Sequence, residues 1–147
     1  LALAMVYFTF LASYDTFEAV MVFMGGGGEI VFGALCVLGF YYPLPDRFRW
    51  DIVRFPVLVV GAYSLGASTI FWLQVKSQRI GIPYGSGVGG PDDPDGDMNR
   101  LRFGHHWSPD ELIGRYVFLI VLSALALLVH YALFAHPKAP FAKRMSD

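Results

Sequence analysis

The sequence predicts an all-α fold: a polytopic integral membrane protein with about four transmembrane helices and one long outer loop, in a single domain over residues 1–147. Three observations predict it. Four nearly uncharged blocks, Leu1–Ser13, Val20–Tyr42, Pro56–Val75 and Tyr116–Ala135, are each followed by a charged or glycine-rich break. The last three approach or exceed the ~20 apolar residues a helix needs to cross a hydrocarbon core of ~30 Å, where a bare backbone finds no outside hydrogen bonds. The composition agrees, at 55% hydrophobic and 16% charged residues, with a mean hydropathy of +0.49.

The first block has about 13 residues and would span roughly 20 Å, short for a crossing. No basic region precedes it and no small-residue cleavage site follows, so it does not read as a signal peptide. The expectation is that further residues precede Leu1. A net charge of −1 argues against nucleic acid as a partner, which needs a basic face. The single cysteine, Cys36, lies in an apolar block and reads as a small buried hydrophobe.

With four crossings the breaks alternate sides. Arg47, Arg49 and Arg54 follow the second block, and Lys138, Lys143 and Arg144 follow the fourth, on the same side. Tyr14–Glu18 carries no Lys or Arg, and in the segment 76–114 the basic residues are diluted by six acids over Asp92–Glu111. The bias predicts a multi-pass protein of the bacterial inner membrane with a cytoplasmic C-terminus and an extracytoplasmic loop over residues 76–114. Tyr14, Tyr41, Tyr42, Trp50, Trp72 and Trp107 fall near the expected interfaces, as an aromatic belt would.

The start of the last helix is marked. Ser108-Pro109-Asp110-Glu111 reads as an N-cap, a proline at the first helical position and acids on the positive end of the dipole, with the Ser-x-x-Glu spacing of a capping box. Pro137 and Pro140 end it.

Gly25, Gly26, Gly27 and Gly28, followed by Glu29, stand in the middle of the second block. Four glycines cost a helix several kcal/mol, at about 1 kcal/mol each. Two uses offset that cost. Gly25, Gly28 or Gly33 can line a seam where another helix approaches closely. Alternatively, the helix breaks there and exposes backbone groups to a cavity or ligand. Glu29 lies about 9 residues from the expected outer end, roughly 14 Å deep, at a level shared with Ser64, Ser68 and Ser123. The expected arrangement is a protonated Glu29 hydrogen-bonded to one of these hydroxyls, since an ionised, unpaired carboxylate is costly there. A proton carrier, cation ligand or partner anchor competes with a neutral structural glutamate.

His130, in Leu128-Val129-His130-Tyr131, is the histidine well inside an expected helix. It is a candidate axial ligand for haem or a chlorophyll-type magnesium, against a packed, hydrogen-bonded histidine. In the outer loop, Asp93, Asp95 and Asp97 match positions 1, 3 and 5 of a calcium loop, but Met98 and Gly104 occupy the positions that need glycine and glutamate. A solvated acidic turn competes with a metal site that His105, adjacent to His106, would complete. His-Glu-x-x-His, Gly-x-Ser-x-Gly, phosphate-loop and Cys-x-x-Cys motifs are absent from the sequence.

Pro83-Tyr84-Gly85-Ser86, Asp95-Gly96-Asp97-Met98-Asn99-Arg100-Leu101, Trp107-Ser108 and Arg115-Tyr116, with the earlier Leu44-Pro45-Asp46-Arg47-Phe48-Arg49-Trp50-Asp51, form a pattern over about two thirds of the chain. The pattern resembles bacterial membrane proteins related to the M50, site-2-protease-like metallopeptidases. The resemblance implies a polytopic fold and, for the family, a zinc held by His-Glu-x-x-His and by an aspartate of an Asn-Pro…Asp-Gly segment. The first motif is missing here and no Asn-Pro precedes Asp95-Gly96, so no zinc ligand carries over.

Three functions follow. The first is a non-catalytic accessory subunit of a larger membrane complex of respiratory or photosynthetic type, contacting other membrane subunits and the lipid bilayer through Gly25–Glu29 and recognising partners through the loop 81–107. The second is the distal part of an M50-like zinc metallopeptidase. The third is a pigment- or haem-binding protein using His130. The sequence requires no cofactor; bound lipid or pigment is compatible with it.

Overall fold

A computed structural model of the chain describes residues 13–41, 51–85, 89–90 and 92–135. The described residues are helical, with no β-strand among them. Helix α1 spans Tyr14–Tyr41, α2 Asp51–Lys76, α3 Asp97–Asn99 and α4 Pro109–His130. The π-helical segment Arg100–Gly104 prolongs α3, and a second one, Tyr131–Ala135, prolongs α4. Three helices are long and apolar enough to cross a bilayer, over Tyr14–Phe40, Arg54–Lys76 and Pro109–Phe134. The expected fourth crossing, Leu1–Ser13, lies outside the described residues apart from Ser13, as do Tyr42–Trp50 and the basic C-terminal segment.

Helix α1 starts earlier than its apolar run. Ser13 Oγ accepts from the backbone N–H of Thr16 at 3.2 Å, and the Phe17 N–H reaches the Ser13 carbonyl at 3.0 Å. This N-cap recruits Tyr14–Glu18, which hydropathy assigns to an outer turn, into the first turns of the helix. At 28 residues α1 is ~42 Å long, so its ends outreach a hydrocarbon core. Helix α2 likewise begins ahead of Pro56, which sits in its second turn. It closes on Gln78 in the left-handed region, φ 58°, with the Arg79 N–H on Gln74 O and the Gln78 N–H on Val75 O, both at 3.0 Å. That is a Schellman closure without its usual glycine. Helix α4 starts as its sequence predicts: Ser108 Oγ accepts from the Glu111 N–H at 3.2 Å, with Pro109 at the first position. Within residues 76–114, Lys76 belongs to α2 and Pro109–Gly114 to α4.

The contacts give the directions. Phe40 meets Phe55, and Glu29 meets Ser68, so α1 and α2 are antiparallel. Phe23 meets Tyr116 and Gly27 faces Leu119, so α4 runs alongside α1 in the same sense. The segment between Lys76 and Pro109 thus covers the end of the bundle where α1 and α4 begin. It is not a free loop. Met98 and Leu101 are buried with Ala19, Val22, Trp72, Val75, Leu112 and Tyr116 in one cluster, and Ile82, Tyr84 and Trp107 pack against it.

Trp72 and Trp107 are therefore packing residues of this covered end rather than members of a lipid-facing belt. Trp72 is 3% exposed and lies flat on Tyr116, with ring centroids 3.8 Å apart and planes 9° apart. Farther along, the outward faces are apolar: Phe32, Leu35, Val59, Val60, Phe118, Leu122, Leu125 and Leu128 are all exposed.

Candidate functional site

The glycine run does not break the helix; α1 is continuous through Gly25–Gly28. Its glycines do different things because successive residues face directions ~100° apart. A Cβ on Gly25 would stand 2.7 Å from Asp97 Oδ2, so Gly25 is where the covering segment lays a carboxylate on the helix. A Cβ on Gly26 would stand 3.2 Å from the Tyr116 hydroxyl, which donates to the Phe23 carbonyl at 3.1 Å. Gly27 is buried against Leu119 and Phe23, and a Cβ on Gly28 would meet nothing within 4 Å.

The helix–helix seam lies lower. A Cβ on Gly33 would come within 2.8 Å of the Gly61 carbonyl oxygen and of the Leu65 nitrogen, and one on Gly61 would overlap Cys36 Cβ. Gly33 and Gly61 mark the close crossing of α1 and α2, and neither Gly25 nor Gly28 takes part. Gly61 was the missed residue. The small residues Gly61, Ser64 and Ser68 recur at helical spacing along one side of α2, a pattern that points to a close helix contact.

Glu29 stands one helical turn from both features. Ser68 Oγ donates to Glu29 Oε2 at 2.9 Å, and Ser64 Oγ donates to the Glu29 carbonyl at 3.3 Å. Ser123 is buried on α4, and Ser68 rather than Ser123 holds the carboxylate. Ser68 is 7% exposed, whereas Glu29 itself stays exposed on the flank of the α1–α2 seam. Because α1 begins at Tyr14, Glu29 lies ~22 Å from its first residue, near the middle of the helix.

Charges gather at the covered end. Glu18 and Arg100 form an ion pair, and Arg100, Glu18 and Asp97 line a cleft of about 340 Å³ floored by Met21 and Val22. The hydrogen bond that Arg100 donates to the Glu18 carboxylate holds its guanidinium above its ordinary pKa, with the charges of Glu18, Asp95 and Asp97 acting in the same direction. Arg115 pairs with Glu111 at 2.5 Å and lies over the Trp107 ring, 3.8 Å from its centroid.

Asp93, Asp95, Asp97 and His105 do not converge. Among the described residues no three His, Cys, Asp or Glu side chains come together where they could hold a metal ion. Asp93 Oδ1 instead accepts from the Asp95 N–H at 3.0 Å, and its carbonyl accepts from Asn99 Nδ2 at 2.8 Å, which makes an Asx-type turn. Asp97 reaches Gly25 and Arg100's surroundings. His130 closes α4 where the helix widens into the π-helical segment, with its ring 4.8 Å from that of Phe134.

The chain matches no family model, no curated protein and no solved structure.

Proposed function

We propose that this chain is a non-catalytic accessory subunit of a larger membrane complex of respiratory or photosynthetic type. In this reading α1, α2 and α4 cross the bacterial inner membrane, the segment 77–108 faces outward, and the C-terminus is cytoplasmic. The observation that carries the reading is Glu29. It is an exposed carboxyl in the middle of an apolar span, with Ser68 as its side-chain partner. Facing lipid, a carboxyl at that depth is costly in either protonation state, so it calls for a polar partner on a neighbouring chain. The apolar outer faces of α2 and α4 offer that neighbour a broad surface; 17% and 11% of their spans are buried within the chain. The orientation is supported by the common direction of α1 and α4 and by the basic residues after Tyr41 and Ala135.

The full-length chain, tagged and extracted in mild detergent, is expected to migrate with other membrane proteins. Glu29→Gln should retain the assembly and Glu29→Leu should weaken it. A monodisperse monomer under the same conditions would rule the reading out.

Pigment or haem binding by His130 is a second reading. One observation favours it: α4 widens into a π-helical turn directly after the histidine, a distortion common at functional sites. It predicts a visible absorption band that His130→Ala removes. The metallopeptidase reading rests on its resemblance alone and predicts about one bound zinc per full-length chain.

A further inference from the structure

The groove between the end of α2 and the start of α4 is lined differently from the rest of the surface. Its floor is Val75, Ile113, Val117 and Phe118, and it encloses about 440 Å³. Gly114 opens it, since a Cβ there would meet nothing within 4 Å. Lys76 stands at its mouth, where α2 ends. A second hollow of about 350 Å³ shares Val75, Gln78 and Ile113 with the first and adds Arg79. Neither Lys76 nor Arg79 forms an ion pair within the described residues, unlike Arg100 and Arg115. One acid, Asp110, lines the groove, so Lys76 and Arg79 leave a net positive charge across the two adjoining hollows taken together.

We propose that this groove binds one anionic phospholipid, with its phosphate between Lys76 and Arg79 and one acyl chain along Ile113, Gly114, Val117 and Phe118. The inference rests on the membrane reading above. Three features select this occupant. The groove lies where apolar spans give way to polar chain, which is the level of a headgroup. Lys76 and Arg79 stand at that level, and the apolar strip of Ile113, Val117 and Phe118 is continued at helical spacing by exposed Val121, Leu125 and Leu128, ~21 Å along α4 from Gly114. A cationic headgroup would be repelled by both side chains, and a zwitterionic one would bring its own cation beside them. Near a membrane surface each Lys or Arg favours an anionic lipid by roughly five-fold.

The test uses the full chain in mild detergent, titrated with 1-palmitoyl-2-oleoyl phosphatidylglycerol or the matching phosphatidylcholine and read by native mass spectrometry. Prior resistance of the protein to carbonate extraction from membranes establishes the membrane reading separately. The expected result is preferential retention of phosphatidylglycerol, reduced roughly five-fold by Lys76→Gln or Arg79→Gln and lost in the double variant. Gly114→Leu should lower retention of both lipids by filling the notch. Helical circular dichroism of each variant, unchanged from the parent, certifies the fold. Equal retention of the two lipids, or an unaltered preference in the double variant, overturns the proposal. So does efficient cross-linking of Gly114→Cys to a co-purifying protein, which would make the occupant a partner helix. If the protein leaves membranes on carbonate washing, the membrane reading fails and the lipid site fails with it.

Discussion

Trp72 and Tyr116 stack face to face, one from α2 and one from α4, and the Tyr116 hydroxyl continues across to the Phe23 carbonyl of α1. A single side chain thereby ties all three long helices. Gly26 is the condition for it, since a side chain there would press on the phenol.

Tyr116→Phe keeps the stack and removes the interhelical hydrogen bond, so it should cost about 1 kcal/mol. Tyr116→Ala, which empties a fully buried site, should cost about 3 kcal/mol or more. Equilibrium unfolding of the detergent-solubilised protein measures both. Equal losses would mean that the hydroxyl, not the ring, carries the contact.

The two kinds of glycine in α1 should separate cleanly. Gly33→Ala and Gly61→Ala force α1 and α2 apart and should each destabilise by about 1–3 kcal/mol. Gly28→Ala enters open space and gains helix propensity, so it should stabilise by up to about 1 kcal/mol. Thermal melting of the three variants side by side decides whether the seam is at Gly33–Gly61.

The Glu18–Arg100 pair fastens the covering segment to the first turns of α1, and both side chains are partly open to solvent. Arg100→Gln should lower the melting temperature slightly, and the difference should fade at about 1 M salt, where charges are screened within about 3 Å. Because the Arg100 pKa is raised, its contribution persists below the ordinary guanidinium range and is lost only as pH rises through the raised value. The guanidinium should therefore introduce no pH dependence of its own between about pH 6 and about pH 10. A melting difference that survives high salt would show that the arginine acts through packing.

Gln78 and His106 hold left-handed backbone, φ 58° and 57°. Gln78→Gly relieves that strain at the α2 closure and should stabilise by up to about 1 kcal/mol, less whatever the extra freedom of the unfolded chain costs. Melting of Gln78→Gly against Gln78→Ala checks it; a drop for glycine would mean that the glutamine side chain holds the closure.

The helical spans were legible because ~20 apolar residues in a row have few other solutions, and the α4 start because its capping box is local. The start of α1 was legible in principle at Ser13-x-x-Thr16 but is hidden by hydropathy, which sees Tyr14–Glu18 only as polar. The pairing of Glu29 with a serine followed from matched depth, and Ser68 is the partner in the structure. The duties of Gly25–Gly28 were not legible. They depend on which helix or loop lies ~100° further round, and a one-dimensional string does not hold that information. The fold of residues 77–108 over the bundle end escaped for the same reason: Met98 and Leu101 look like isolated apolar residues in an acidic turn until they are buried.

The buried cluster crowds toward one extremity of the bundle, and the far half of α4 with its π-helical extension, from Val121 to Leu133, is mostly exposed within the chain. Past Tyr116, α4 is held mainly from one side, while α1 and α2 stay together through Gly33, Gly61 and the Phe40–Phe55 contact. Amide exchange in α4 should be slowest near Tyr116 and quicken steadily toward His130. A neighbour seated on that distal stretch would slow exchange there and leave the rate near Tyr116 unchanged.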